Sequence, residues 1–131
     1  MKKIILLFLF VLRFILSTKA QTPDPGLAGT YSVTTTNYDY GDGAFTTASF
    51  PDPIEARARV FYPTTFSPGL FPLLIFLHGR HESCYNTSTN ITSAVWPCPS
   101  GSREIPSYQG YDYLAARLAS QGSIVVSIGA N

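Results

Sequence analysis

At 131 residues the chain has room for one ordinary domain and no more, since compact domains occupy about 50 to 250 residues. Nine basic residues face eight acidic ones, and Lys2, Lys3, Arg13 and Lys19 all fall in the first twenty positions. The five arginines that remain are scattered, which leaves no basic stripe and excludes a nucleic-acid partner of the usual electrostatic kind.

The opening MKKIILLFLFVLRFILSTKA places two lysines ahead of an apolar run from Ile4 to Leu12 and ends in small residues, with Thr18 and Ala20 at minus three and minus one. Residues 1–20 therefore read as a secretory signal peptide cleaved before Gln21, and the mature chain is expected outside the cell with a net charge of −3. A retained anchor is the competing reading. A spanning helix wants about 20 apolar residues, however, and Arg13 interrupts this run, so no stable membrane span is expected. Residues 21–131 are taken as one partial domain.

Thr30 to Asp39, rich in β-branched and aromatic residues, predicts a strand; Gly41-Asp42-Gly43 predicts a turn, and Ala44 to Phe50 its returning partner. Pro51 and Pro53 are expected to end that pairing, because neither can donate to a ladder. In Glu55 to Tyr62 the alternation predicts a half-buried strand with Ala56, Ala58, Val60 and Tyr62 inward and Arg57 and Arg59 outward. Leu73 to Leu77 has no alternation at all. A strand apolar on both sides is the habit of a central parallel strand covered on both faces.

Tyr111, Leu114, Ala115, Leu118 and Ala119 form one helical stripe over 111–121, with Gly122 as its stop, and Ile124 to Ile128 is a further β-branched run. Strand, helix and parallel strand together predict a crossover unit and an α/β class. Between Arg80 and Gly110 lie about thirty residues without periodicity, long for a loop in a compact domain. Within it, export makes a Cys84–Cys98 disulfide the leading reading, which closes a 15-residue loop and contributes roughly 3 kcal/mol by chain-entropy arguments. Asn86-Thr87-Ser88 and Asn90-Ile91-Thr92 match the glycosylation acceptor pattern, so Asn86 and Asn90 are expected on a surface loop.

Ligands of open α/β sheets bind beyond the carboxyl ends of the strands, which is where His78 and Gly79 fall. Gly79 permits a tight exit, leaving the amides of Arg80 and His81 as candidate donors to an oxyanion. LLIFLHGRHESCY, followed by WPCPSGSREIPSYQGYDYLAARLASQGSIVVSIGAN, resembles the first half of a secreted α/β-hydrolase, of the esterase and lipase branch that includes platelet-activating-factor acetylhydrolase-like and polyester-hydrolase-like enzymes. The resemblance implies the N-terminal portion of that fold, an antiparallel start followed by a parallel strand-helix-strand unit in an incomplete sheet. It also implies acyl transfer to water on a small-molecule, lipid or polymer ester without a cofactor. It assigns one oxyanion-hole amide to Arg80, or else His81, and loop support to His78 and Gly79.

The family's GxSxG elbow is not in the chain; Val125-Val126-Ser127-Ile128-Gly129 lacks the first glycine. The expectation is a piece cut before the nucleophile, with no Ser/Asp/His triad, no measurable turnover and no labelling by a fluorophosphonate. The family's strand order would leave Leu73 to Leu77 as an uncovered edge, and hence a poorly soluble chain. Two other readings compete. His78, His81 and Glu82 form HxxHE, which matches neither HExxH nor HxxEH, so no metal is assigned. A secreted non-catalytic binding module with a hydrolase-like fold would use Tyr85 and Trp96, although these aromatic residues more simply pack the loop onto the sheet.

Overall fold

The computed structural model describes residues 24, 26–65 and 69–130; the signal peptide expected over 1–20 lies outside them. Nine strands and one α-helix are present among the described residues. The principal sheet is built from β1 (Val33–Asp39), β4 (Arg57–Pro63), β5 (Leu73–Leu77) and β9 (Ile124–Gly129), in the order β1-β4-β9-β5. β4 is antiparallel to both its neighbours, and β5 runs parallel to β9.

Helix α1 (Asp112–Ser120) packs on one face of this sheet, where Phe61, Val125, Ala115 and Ala119 form the buried core and Leu74, Phe76 and Leu118 close around it. It stops at Gly122, whose φ of +93° few other residues adopt. Gly122 N–H donates to Ala119 O at 3.0 Å and Ser123 N–H to Leu118 O at 3.2 Å, the paired bonds of a Schellman motif.

The α/β class expected from the sequence does not hold. The described residues are mostly β, in mixed and antiparallel sheets with one helix, and not in a hydrolase-like strand-helix arrangement. The segment 80–110, expected as an aperiodic loop, adds to the β content. It folds instead as a three-stranded antiparallel sheet of two-residue strands, β6 (Cys84–Tyr85), β7 (Thr92–Ser93) and β8 (Arg103–Glu104), in the order β7-β6-β8. Cys84, fully buried, is joined to Cys98 in a disulfide with Cα atoms 5.6 Å apart. Strands this short carry no period that a sequence pattern could reveal.

Four further expectations are corrected. β1 does not pair with the segment after the 41–43 turn. Its partner is β4, in register from Val33 opposite Pro63 to Asp39 opposite Arg57, while β2 (Phe45–Thr47) pairs with β3 (Phe50–Ile54) as a separate ribbon. Pro51 and Pro53 lie inside β3, tolerated because a two-stranded ribbon leaves one side of the strand without ladder bonds.

The parity of β4 is the reverse of that expected. Phe61 faces α1, and Arg59 shares that face, meeting Asp112 at 2.5 Å. Burial of the large Phe61 ring in the core, with both arginines answered by carboxylates, outweighs the smaller gain from Ala58 and Val60.

β5 lies at the sheet edge, as expected for a chain without the next strand, but it is not covered on both faces as its unbroken apolar run predicted. Leu73, Ile75 and Leu77 are 59%, 62% and 63% exposed, because among the described residues only β9 flanks the strand and α1 covers only the face carrying Leu74 and Phe76. No helix among the described residues is long and apolar enough to cross a membrane.

Candidate functional site

Beyond the carboxyl end of β5 the chain enters an open cleft of about 610 Å³, within the range of small-molecule sites. His78, Gly79 and His81 form one wall; Ser107, Gly110 and Tyr111 form the other. The facing wall is delivered by the small sheet. Cys84 stands opposite Glu104 in the β6–β8 ladder, and Ile105 N–H donates to Ser83 O at 2.8 Å. Continuing that antiparallel register brings Ser107 opposite His81. The two side chains meet there, with Ser107 Oγ 2.6 Å from His81 Nε2.

The hydrogen bonds fix the tautomers of both histidines. His81 Nδ1–H donates to Glu82 O at 2.5 Å, so in the neutral ring Nε2 bears the lone pair and is placed to accept from the Ser107 hydroxyl, which also reaches Ile105 O at 3.1 Å. His78 Nδ1–H donates to Gly79 O at 3.0 Å, and its Nε2 accepts the Ala130 amide at 3.4 Å. The two rings stand 4.8 Å apart. His78 thus ties the Gly79 turn to the end of β9. The backbone amides of Arg80 and His81 meet no acceptor among the described residues, and both residues are exposed.

A charged cluster fixes the small sheet to the large one. The half-buried Arg57 guanidinium contacts Asp39 at 3.0 Å, Asp42 at 2.6 Å, Glu55 at 3.2 Å and Glu104 at 2.6 Å. One cation therefore joins β1, the 41–43 turn, β4 and β8. Burial works against its charge, but the bonds to Asp39 and Asp42 outweigh that and raise its pKa.

The Gly41 amide, and then the Arg57 guanidinium, hold Asp39 below the usual carboxylate range. Glu104 is pushed the other way, up to about 7, first by burial and then by the neighbouring Glu55 charge, against the pull of Arg57. Gly129 on β9 admits this packing: a Cβ there would collide with the Glu55 carboxylate and lie 2.9 Å from the Tyr108 ring.

Of the residues singled out from the sequence, His78, Gly79 and His81 come together in the cleft, with Arg80 on the same turn. Cys84 and Cys98 lie in and beside the small sheet away from it. Asn86 and Asn90 are on the connection between β6 and β7. The Asn86 carboxamide oxygen accepts the amides of Ser88 and Thr89 at 2.9 and 3.1 Å, whereas Asn90 is exposed with φ of +57°. Trp96 Nε1–H donates to Asp42 O at 3.0 Å, fastening the loop to the 41–43 turn. Sequence reasoning missed Ser107. The one signal for it, the β6–β8 register, exists only once the ladder has formed. No protein-family model, curated protein or solved structure matches this chain.

Proposed function

We propose that the cleft is the carbonyl-binding part of a secreted carboxylic-ester hydrolase, acting by acyl transfer to water. The observation that carries this reading is the pair of Arg80 and His81 amides without acceptors among the described residues, on the turn where β5 ends and a small-molecule-sized cleft begins. Backbone donors fixed before the reaction stabilise a developing oxyanion, and each is worth roughly 100 to 1,000-fold in rate. His78 supports the turn through Gly79 O and the Ala130 amide. The disulfide is compatible with export, and the apolar lining contributed by Ile105 and Tyr111 suits the acyl chain of a small-molecule, lipid or polymer ester.

The test uses butylphosphonate, a tetrahedral anion that mimics the oxyanion with an alkyl chain attached, titrated into the ¹⁵N-labelled chain. Saturable downfield shifts of the Arg80 and His81 amide protons are expected. Arg80→Gln, which removes the charge and keeps the amide, should retain them. Shifts that vanish with Arg80→Gln, or that avoid these amides, would mean that the anion follows side-chain charge and that the reading is wrong.

A further inference from the structure

Resting on that reading of the cleft, we propose that the chain carries its own acyl-accepting pair, with Ser107 as nucleophile and His81 as general base. The geometry supplies each requirement of an activated serine. The hydroxyl and the imidazole are 2.6 Å apart, inside the reach required of a nucleophile and its base. The imidazole is held in the productive tautomer, because Nδ1–H is committed to Glu82 O. In the neutral ring Nε2 then accepts, and the single proton of Ser107 Oγ is drawn to it in preference to the more distant Ile105 O at 3.1 Å. Both groups line the cleft, and the amides of Arg80 and His81, without acceptors among the described residues, lie on the turn that enters it.

The scaffold behind the pair is stiff. His81 precedes by two residues the Ser83 carbonyl that accepts Ile105 N–H, and Ser107 follows Ile105 by two. The Cys84–Cys98 bridge and the hydrogen bond from Arg57 to Glu104 hold the strands between them.

The step balances without any further reactant. Ser107 Oγ adds to the ester carbonyl carbon, its proton passes to His81 Nε2, and the carbonyl π pair moves to oxygen as the oxyanion. Collapse of the intermediate breaks the carbon–alkoxy bond, and the departing alkoxide takes the proton from His81. Water, deprotonated by the same Nε2, then adds to the acyl carbon; the carbon–Oγ bond breaks, the acid leaves, and Oγ takes back the proton from His81. A backbone carbonyl orients the imidazole where a triad has a carboxylate. It stabilises the imidazolium less, so the pair is suited to activated esters.

The test treats the full chain with p-nitrophenyl acetate and locates the acetyl group by peptide mass spectrometry. One acetyl on Ser107 is expected, with none after Ser107→Ala. His81→Gln preserves a hydrogen-bond acceptor for the serine but accepts no proton, and should slow acetylation by about 100-fold or more. His81→Gly should regain at least a tenth of the wild-type rate when imidazole is added, which a purely structural histidine would not show. Acetylation elsewhere, or His81→Gln reacting like the wild type, would overturn the inference. Butylphosphonate shifts at Arg80 and His81 in Ser107→Ala test the cleft independently. If they persist while Ser107 stays unacetylated, the pair fails and the ester-site reading stands.

Discussion

Glu104 is the residue at which packing and charge oppose each other most directly. Its carboxylate touches Arg57, yet three further carboxylates crowd the same guanidinium, and its side chain is 22% exposed. The folded chain keeps Glu104 protonated up to about pH 7, whereas the unfolded chain releases that proton near the ordinary value of 4.5. Between those values the folded state binds more protons, so stability contributed by Glu104 falls as pH rises from about 4.5 to about 7 and is level above. Asp39 acts with the opposite sign. Its lowered pKa means its contribution is present above the usual carboxylate range and lost on acidification.

Because Glu104 retains water contact, the change is expected to be about 1 kcal/mol rather than the full value of the shift. Urea unfolding at about pH 5 and about pH 8 should show it as a difference that Glu104→Gln removes. An identical pH dependence in wild type and Glu104→Gln would contradict the assignment.

At the scale of elements, α1 shows how far local rules reach. Nine residues are too few for an independently stable helix, so its stop and its buried alanines carry it. Gly122→Ala forces a side chain into a φ of +93° and brings its Cβ to 3.1 Å from the Tyr31 ring. A loss of about 1–2 kcal/mol is expected in denaturant unfolding, against almost none for Tyr113→Ala at a position 78% exposed. An unchanged midpoint for Gly122→Ala would show that the Schellman bonds do not hold the terminus.

This stop was legible because it depends on one residue type at one spacing. β4 was misread because both of its alternations are defensible. Ala58 and Val60 mark one face and Phe61 the other, and the choice rests on burial of Phe61 and on the carboxylates of Asp39, Asp42, Glu104 and Asp112, which are brought to Arg57 and Arg59 only by the fold. The pairing of β1 was misread for a related reason: a Gly-Asp-Gly turn fits a hairpin, but it contains no information on which distant strand competes for the edge. The candidate site divides in the same way. His78 and Gly79 are visible at the end of an apolar run, whereas Ser107 lies 26 positions from His81 and reaches it only through a disulfide-bonded ladder.

The whole molecule is asymmetric about its principal sheet. One face is closed by α1; the other presents Leu73, Ile75 and Leu77 from β5 beside Val126 and Ile128 from β9, and a 240 Å³ apolar hollow opens between that face and Phe45 and Ile54 of the ribbon. Three large aliphatic side chains lie more than half exposed on a strand whose outer edge has no partner among the described residues. Such an edge is a template for pairing with another chain, and its apolar face supplies the driving force.

The expected behaviour in solution is concentration-dependent self-association. Ile75→Lys addresses it at the centre of the strand, adding a charge to the bare face while leaving Leu74 and Phe76 in the core; a change within about 0.5 kcal/mol in the unfolding of the monomer is expected, since the site is exposed. Sedimentation velocity over a range of concentrations should show the wild type moving to larger species and the Ile75→Lys chain remaining monomeric. A wild-type chain that stays monomeric throughout would mean that the bare face of β5 does not drive association.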